Sequence, residues 1–223
     1  MTVVLAFDIY GTLIDTHGVV DELARHIGDR APEFSRIWRE KQLEYTWRKG
    51  LMRRYENFAV CTRQALDYAD SLLQTGFDDE VKDQLMQTYR VLPAFDDVPD
   101  SLRSLAAAEF RLYAFSNGIA DAVSGLLEHA GIDELFDGVV SVDTLQTFKP
   151  NPDVYHHVVE VTASTPENCW LISSNAFDVI GAVSAGIKAA WLQRSTDAVF
   201  DPWGIEPNLR IRSLSELPNK IKR

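Results

Sequence analysis

The chain reads as an α/β fold, a Rossmann-like parallel sheet core with helices on both faces and a helical cap inserted after the first strand. Three observations predict it. Short β-rich apolar runs alternate with helical patterns in the second half of the chain, and that alternation calls for a parallel sheet covered on both faces. The interval from about residue 15 to 95 holds long helical stretches and no convincing strand. The first apolar run, Val3-Val4-Leu5-Ala6-Phe7, ends on Asp8 and a glycine-containing turn. That places a carboxylate at the strand edge where open α/β sheets bind ligands.

In order, residues 3–7 form the first strand, and helical stretches follow at 20–26, 35–49, 55–74 and 80–91. Falling between the first and second strands, they are expected to cap the C-terminal edge of the sheet and close a cleft over it. Residues 92–99, with two prolines, are the expected return linker. Strands at 110–115, 138–142, 169–173 and 188–192, with a weaker one at 209–211, alternate with helices at 100–108, 120–130, 152–163 and 176–185. Right-handed crossovers between them give the Rossmann-like sheet. The expected division is a discontinuous core, residues 1–14 and 96–223, and a cap, residues 15–95.

A chain of 223 residues suffices for such a core with one insertion. The net charge of −11 argues against general nucleic-acid binding, which needs a basic surface. It leaves room for a local cationic pocket that takes an anionic substrate. Cys61 and Cys169 are far apart and suggest no disulfide framework; Cys169, inside an apolar run, reads as a buried thiol. No run reaches transmembrane length, and no basic region precedes the N-terminal apolar stretch. The expectation is a reduced, cytoplasmic setting without membrane attachment.

Five places carry candidate chemistry, and each has a plainer alternative. Asp8 is either a reacting carboxylate or the cap of the next turn. Ser116-Asn117-Gly118, after the second strand, offers donors for an anion or caps the following helix. Lys149 sits between Phe148 and Pro150 in a stiffened loop that can aim its cation at an anion, or it is a solvated lysine. Tyr155 follows on the next helix, where its hydroxyl can point back to the sheet edge. Ser173-Ser174-Asn175, after the fourth strand, precedes Asp178, which is either a first-turn helix acid or a partner of Lys149. Arg39, among several charges on a helix rich in aromatics, is a surface ion-pair member or a buried functional cation. The five histidines show no ligand spacing, and the adjacent His156 and His157 read as surface residues.

In sequence, order and spacing these places together resemble the L-2-haloacid dehalogenases, the halide-displacing branch of the haloacid dehalogenase superfamily. The resemblance covers nearly the whole chain. It runs through Phe7-Asp8-Ile9-Tyr10-Gly11-Thr12-Leu13, Trp38-Arg39, Tyr45-Thr46-Trp47, Ser116-Asn117-Gly118, Phe148-Lys149-Pro150 and Ser173-Ser174-Asn175. Phosphatases of the superfamily carry a second aspartate two residues after the nucleophile, to protonate the leaving group. This chain has Tyr10 there, which disfavours phosphoryl transfer and permits displacement of halide, an anion that leaves without a proton.

The resemblance implies that Asp8 is a covalent nucleophile and Thr12 a supporting hydroxyl. It implies that Ile9, Tyr10, Ser116 and Asn117 contact the substrate, and that Arg39 with Asn117 receives the halide. Lys149, Tyr155, Ser173, Asn175 and Asp178 hold and polarise the nucleophile and help hydrolyse the ester. Tyr10, Leu43, Phe58 and Phe177 wall the substrate carbon. Family members often have Gln at the place of Glu40 and Trp at the place of Phe177, differences that bear on substrate size or halide preference. A 2-haloacid substrate, a halide product, no metal, no organic cofactor and a homodimer complete the expectation.

Overall fold

In the structure, a computed structural model that describes residues 2–221, six parallel strands form one sheet. They are β1 (Val4–Phe7), β2 (Arg111–Ser116), β3 (Gly138–Ser141), β4 (Cys169–Ser173), β5 (Lys188–Leu192) and β6 (Leu209–Ile211), in the order β3-β2-β1-β4-β5-β6. β1 is central, paired on one side with β2 and on the other with β4. All four of its residues are buried. Strand order reverses direction at β1, and ligands of such sheets bind at the carboxyl ends beside that switch point.

Five α-helices separate β1 from β2, and the first four fall in residues 15–95: α1 (His17–Ile27), α2 (Ala31–Met52), α3 (Phe58–Leu73) and α4 (Asp79–Thr88). Among the described residues no named strand falls in this interval. Asn57 caps α3 by accepting from the Val60 amide, and Asp78 caps α4 by accepting from the Val81 amide. The chain leaves and returns to the core side by side. The Asp15 amide donates to Pro93 O at 2.8 Å, the Phe95 amide donates to Leu13 O at 2.9 Å, and Ile14 bridges Ala94. One apolar cluster runs from Leu5, Phe7 and Ile172 on the sheet into Leu23, Trp38 and Leu66 of these helices.

α5 (Val98–Ala107), α6 (Ala120–His129), α7 (Pro152–Val161) and α8 (Ala176–Ser184) alternate with the later strands, and α9 (Leu217–Lys220) follows β6. A second cluster on the opposite sheet face joins Ala6, Phe115 and Leu171 to Val154 and Tyr155 of α7 and Val179 of α8. Helices thus cover both faces. The main corrections lie at the edges of elements. Val98 and Pro99, read as linker, begin α5, with Pro in its first turn. α9 is too short to show helical periodicity.

Candidate active site

Asp8 follows β1 but keeps its strand register, its amide donating to Ile172 O at 3.0 Å. Its side chain therefore projects past the C-terminal edge of the sheet, 14% exposed. The chain then folds back on itself, with the amides of Leu13 and Ile14 both donating to Ile9 O. Gly11 turns there at φ +79°, a conformation that favours glycine. The turn brings Thr12 beneath the carboxylate. Asp8 Oδ2 accepts from Thr12 Oγ1 at 2.8 Å, Asn175 Nδ2 at 2.7 Å and Ser173 Oγ at 3.3 Å, whereas Oδ1 accepts from Lys149 Nζ at 3.2 Å. A capping role for Asp8 is thereby replaced: all four donors are side chains, three of them from distant loops.

The plainer readings of Lys149 and Asp178 also give way. Lys149 is 1% exposed, and its ammonium donates to Asp178 Oδ2 at 2.8 Å and Phe115 O at 2.9 Å as well as to Asp8. Its amide donates to Asn117 Oδ1 at 2.9 Å, which ties the loop to the end of β2. Asp178 is fully buried in the first turn of α8, so the acid that suits a helix N-terminus also meets the lysine. Tyr155, from α7, donates to Asp178 Oδ1 at 2.8 Å. The close approach of α7 to α8 requires Gly181, where an added Cβ would lie 2.5 Å from Tyr155 Oη.

Neither Ser116 nor Asn117 caps the next helix; Ile119 holds that position and no side chain bonds there. Ser116 Oγ instead accepts from the Gly118 amide at 3.0 Å and closes its own turn. Asn175 precedes α8 but turns its amide to Asp8 rather than capping the helix.

Arg39 is half-buried on α2 and donates to Gln42 Oε1 at 2.6 Å. Gln42 in turn donates to Thr62 Oγ1 of α3 at 2.7 Å, and Thr62 donates to Phe58 O. The Arg39 charge helps to lower the Asp8 pKa, so the guanidinium is within electrostatic reach of the carboxylate. Glu40, expected next to the halide cradle, is exposed and bonded to Arg36 one turn earlier. Successive residues on a helix point in different directions, and here they divide between cleft and solvent.

The apolar residues meet around the same edge. Tyr10 stacks on Phe58 at 6.1 Å between ring centres and meets Tyr89 edge-on at 5.9 Å. Phe177 meets Trp47 of α2 edge-on at 5.3 Å, joining the fourth loop to the helical insertion. Leu43 is half-buried one turn after Arg39, and Ile9 is fully buried in the turn after Asp8.

Burial pushes Asp8 up, but Lys149, the Thr12 hydroxyl and Arg39 outweigh it and hold the carboxyl below its usual range. Burial also acts against the charge of Lys149, and the two facing carboxylates outweigh that and raise its pKa. Asp178 ends above its usual range because burial, with repulsion from Asp8, exceeds the pull of Lys149. Burial and the neighbouring Asp178 push Tyr155 well up, so its hydroxyl is a donor.

Two polar residues carry roles that the sequence reading did not assign to them. Ser174 donates from Oγ to Gly11 O and from its amide to Thr12 Oγ1, locking the first loop to the fourth. Gln42 orients Arg39. Its signal was a buried-face position on α2 occupied by an amide among aromatics. Among the described residues no group of three or more His, Cys, Asp or Glu is placed to hold a metal ion.

A strand-end carboxylate that accepts from one lysine and three neutral donors, on a Rossmann-like core, is an arrangement in which an aspartate can act as a nucleophile. The sequence model of the haloacid dehalogenase-like hydrolases matches residues 3–186, and the chain belongs to that family. It is 38% identical to an (S)-2-haloacid dehalogenase of Pseudomonas sp. strain YL over 94% of this chain and 90% of that one. It is 35% identical to one from Pseudomonas putida over 96% of this chain and 94% of that one. The fold superposes with a TM-score of 0.90 on an L-2-haloacid dehalogenase from Xanthobacter autotrophicus with chloropropionic acid covalently bound. That pair shares 33% identity, and the match covers 98% of each chain.

Proposed function

We propose that the chain is an (S)-2-haloacid dehalogenase that hydrolyses short (S)-2-haloalkanoic acids to (R)-2-hydroxy acids through an ester on Asp8. The observation that carries this reading is the unequal hydrogen bonding of the Asp8 oxygens. Oδ2 holds three donors and Oδ1 only the lysine, at 3.2 Å. Oδ1 is therefore the freer oxygen and attacks C2 from behind the carbon–halogen bond. The C2–O bond forms, the halide departs with the bonding pair toward Arg39 and Asn117, and the centre inverts. Oδ2 becomes the ester carbonyl oxygen. Water then adds to the side-chain carbon of Asp8, and Thr12, Ser173 and Asn175 stabilise the oxyanion where charge develops. Asp178 takes the proton from water and returns it to the leaving Oδ1 as the bond from the Asp8 side-chain carbon to Oδ1 breaks. That step frees the hydroxy acid and leaves the water oxygen in the Asp8 carboxylate. Lys149 offsets the charge that the substrate carboxylate brings. Ile9, Tyr10 and Ser116 line the substrate carboxylate side; Leu43, Phe58 and Phe177 wall the carbon chain.

The reading includes residues 15–95 acting as a cap that excludes water from the core of residues 1–14 and 96–223. It includes no metal or organic cofactor, because Lys149 supplies the positive charge between Asp8 and Asp178 that a cation would otherwise supply. It also includes a cytoplasmic homodimer with no nucleic-acid or membrane partner. The homodimer is supported by exposed Leu51 and Met52 at the end of α2; among the described residues no helix is long and apolar enough to cross a membrane.

The test is halide release from (S)-2-chloropropionate in the presence of a chelator, with the product resolved by chirality. Chloride and (R)-2-hydroxypropionate in equal amounts are expected, with the (R)-substrate inert. No halide with either enantiomer, or turnover abolished by the chelator, contradicts the reading.

A further inference from the structure

We propose that Arg194 is a positioning residue, a staple that sets the Thr12 backbone under the nucleophile and holds together the two stems of the helical insertion. It lies just beyond β5, and its side chain is 16% exposed. The guanidinium uses all three nitrogens. Nε and Nη2 donate to the carbonyl oxygen of Thr12 at 3.0 and 2.6 Å, and Nη1 donates to Asp97 Oδ1 at 2.6 Å. Its central carbon stands 4.2 Å from the centre of the Phe95 ring. Asp97 is held in turn: its Oδ2 accepts from the Leu214 amide at 3.2 Å and Ser213 Oγ at 3.3 Å.

The stem leaving the core and the stem returning to it therefore meet on one cation, and Asp97 ties the second of them to the C-terminal segment. The outgoing stem is also the nucleophile loop. Two donors on the Thr12 carbonyl fix its peptide plane, and the Thr12 hydroxyl donates to Asp8 Oδ2 at 2.8 Å. A small rotation of that plane would swing the hydroxyl off the carboxylate. Arginine suits the place because its rigid planar fork reaches a carbonyl with two N–H groups and a carboxylate with a third. A lysine ammonium reaches one partner or the other with less geometric control.

The kinetic part of the test rests on the dehalogenase reading; the structural part does not. A double-mutant cycle of Arg194→Lys and Thr12→Val is followed by single-turnover and steady-state kinetics on (S)-2-chloropropionate. Amide exchange at Asp15 and Phe95, the two amides that zip the stems, is measured in the same proteins. Arg194→Lys alone is expected to lower kcat by roughly tenfold to a hundredfold with KM changed far less. In the Thr12→Val background it should add little, because the hydroxyl through which it acts is gone. Exchange at both amides should quicken. Additive losses in the double variant, or wild-type kcat in folded Arg194→Lys, overturn the positioning role. If Arg194→Lys does not fold, Asp97→Asn, which loosens the same anchor, takes its place in the cycle with the same criteria. If wild type releases no halide, the dehalogenase reading fails, and the staple is judged on exchange alone: unchanged protection in the variant overturns it.

Discussion

Lys149 Nζ stands 2.8 Å from Asp178 Oδ2 and 3.2 Å from Asp8 Oδ1, so one buried ammonium serves both carboxyls. Their pKa values nonetheless move apart. Asp8 falls below the ordinary 3.8, because Lys149, Thr12 and Arg39 overcome burial, and Asp178 rises above it, because burial and Asp8 overcome Lys149. Carboxyls driven apart in this way suit the separate parts of nucleophile and base.

That division predicts a pH dependence. Asp178 must be ionised to accept a proton from water, and burial, the largest cause of its raised pKa, persists in the ester although the Asp8 charge does not, so ester hydrolysis should have its acid limb above that of ester formation. Ester formation, which needs only Asp8, should keep its limb lower. The Tyr155 hydroxyl bond favours the ionised form of Asp178, so Tyr155→Phe should move the hydrolysis limb to still higher pH. Single-turnover ester decay against pH measures it; a limb unmoved by the substitution assigns the titration to another group. Stability should follow with opposite signs. The contribution of Asp8 is present above its unfolded pKa and lost as pH falls through its lowered folded value. Asp178 instead costs stability as pH rises from 3.8 through its raised one.

Arg39 donates to Gln42, and its charge helps to hold the Asp8 carboxyl below its usual range. Arg39→Ala should lower kcat by roughly a hundredfold or more, since a cation that receives halide acts where charge develops. Lys should rescue in part, lacking the planar fork. Gln42→Leu should give a smaller loss in kcat with the fold kept. Near-wild-type kcat on chloro- and bromopropionate in folded Arg39→Ala would leave halide binding to Asn117.

Gly181→Ala probes the packing that aims Tyr155. The new methyl would meet Tyr155 Oη at 2.5 Å and Pro150 Cβ at 2.6 Å. Such overpacking should cost about 1–3 kcal/mol in chemical denaturation and lower kcat as the hydroxyl leaves Asp178. Adding Tyr155→Phe should recover part of the stability, because it removes the nearest clashing atom. Unchanged stability in Gly181→Ala would mean that α8 yields easily and does not fix Tyr155.

Much of this was legible in the chain because the sheet places its chemistry at strand ends. Asp8, Ser116, Lys149 and Ser173 each follow or close an apolar run, and parallel pairing brings those ends to one edge. What each polar group bonds to was less legible. Asn117 carries the Lys149 amide rather than a helix cap, because the φ/ψ path of its turn, and not its residue type, decides the partner. Ser174 and Arg194 act on neighbours 163 and 182 residues away, and no local pattern marks contacts of that span. Glu40 and Arg39 adjoin in sequence yet face solvent and cleft, a division that only the packing of α2 on α3 sets.

The central claim is that Asp8, not water, attacks the substrate carbon, and single-turnover reaction in water enriched in heavy oxygen tests it most directly. With enzyme in excess over (S)-2-chloropropionate, the hydroxyl oxygen of the first product comes from Asp8, and the heavy atom enters the Asp8 carboxylate when the ester is hydrolysed. Mass spectrometry of the peptide containing Asp8 should therefore show one heavy oxygen, with unlabelled 2-hydroxypropionate. Asp8→Asn should release no halide and take up no label. Heavy oxygen in the first-turnover product, with Asp8 unlabelled, would contradict the account.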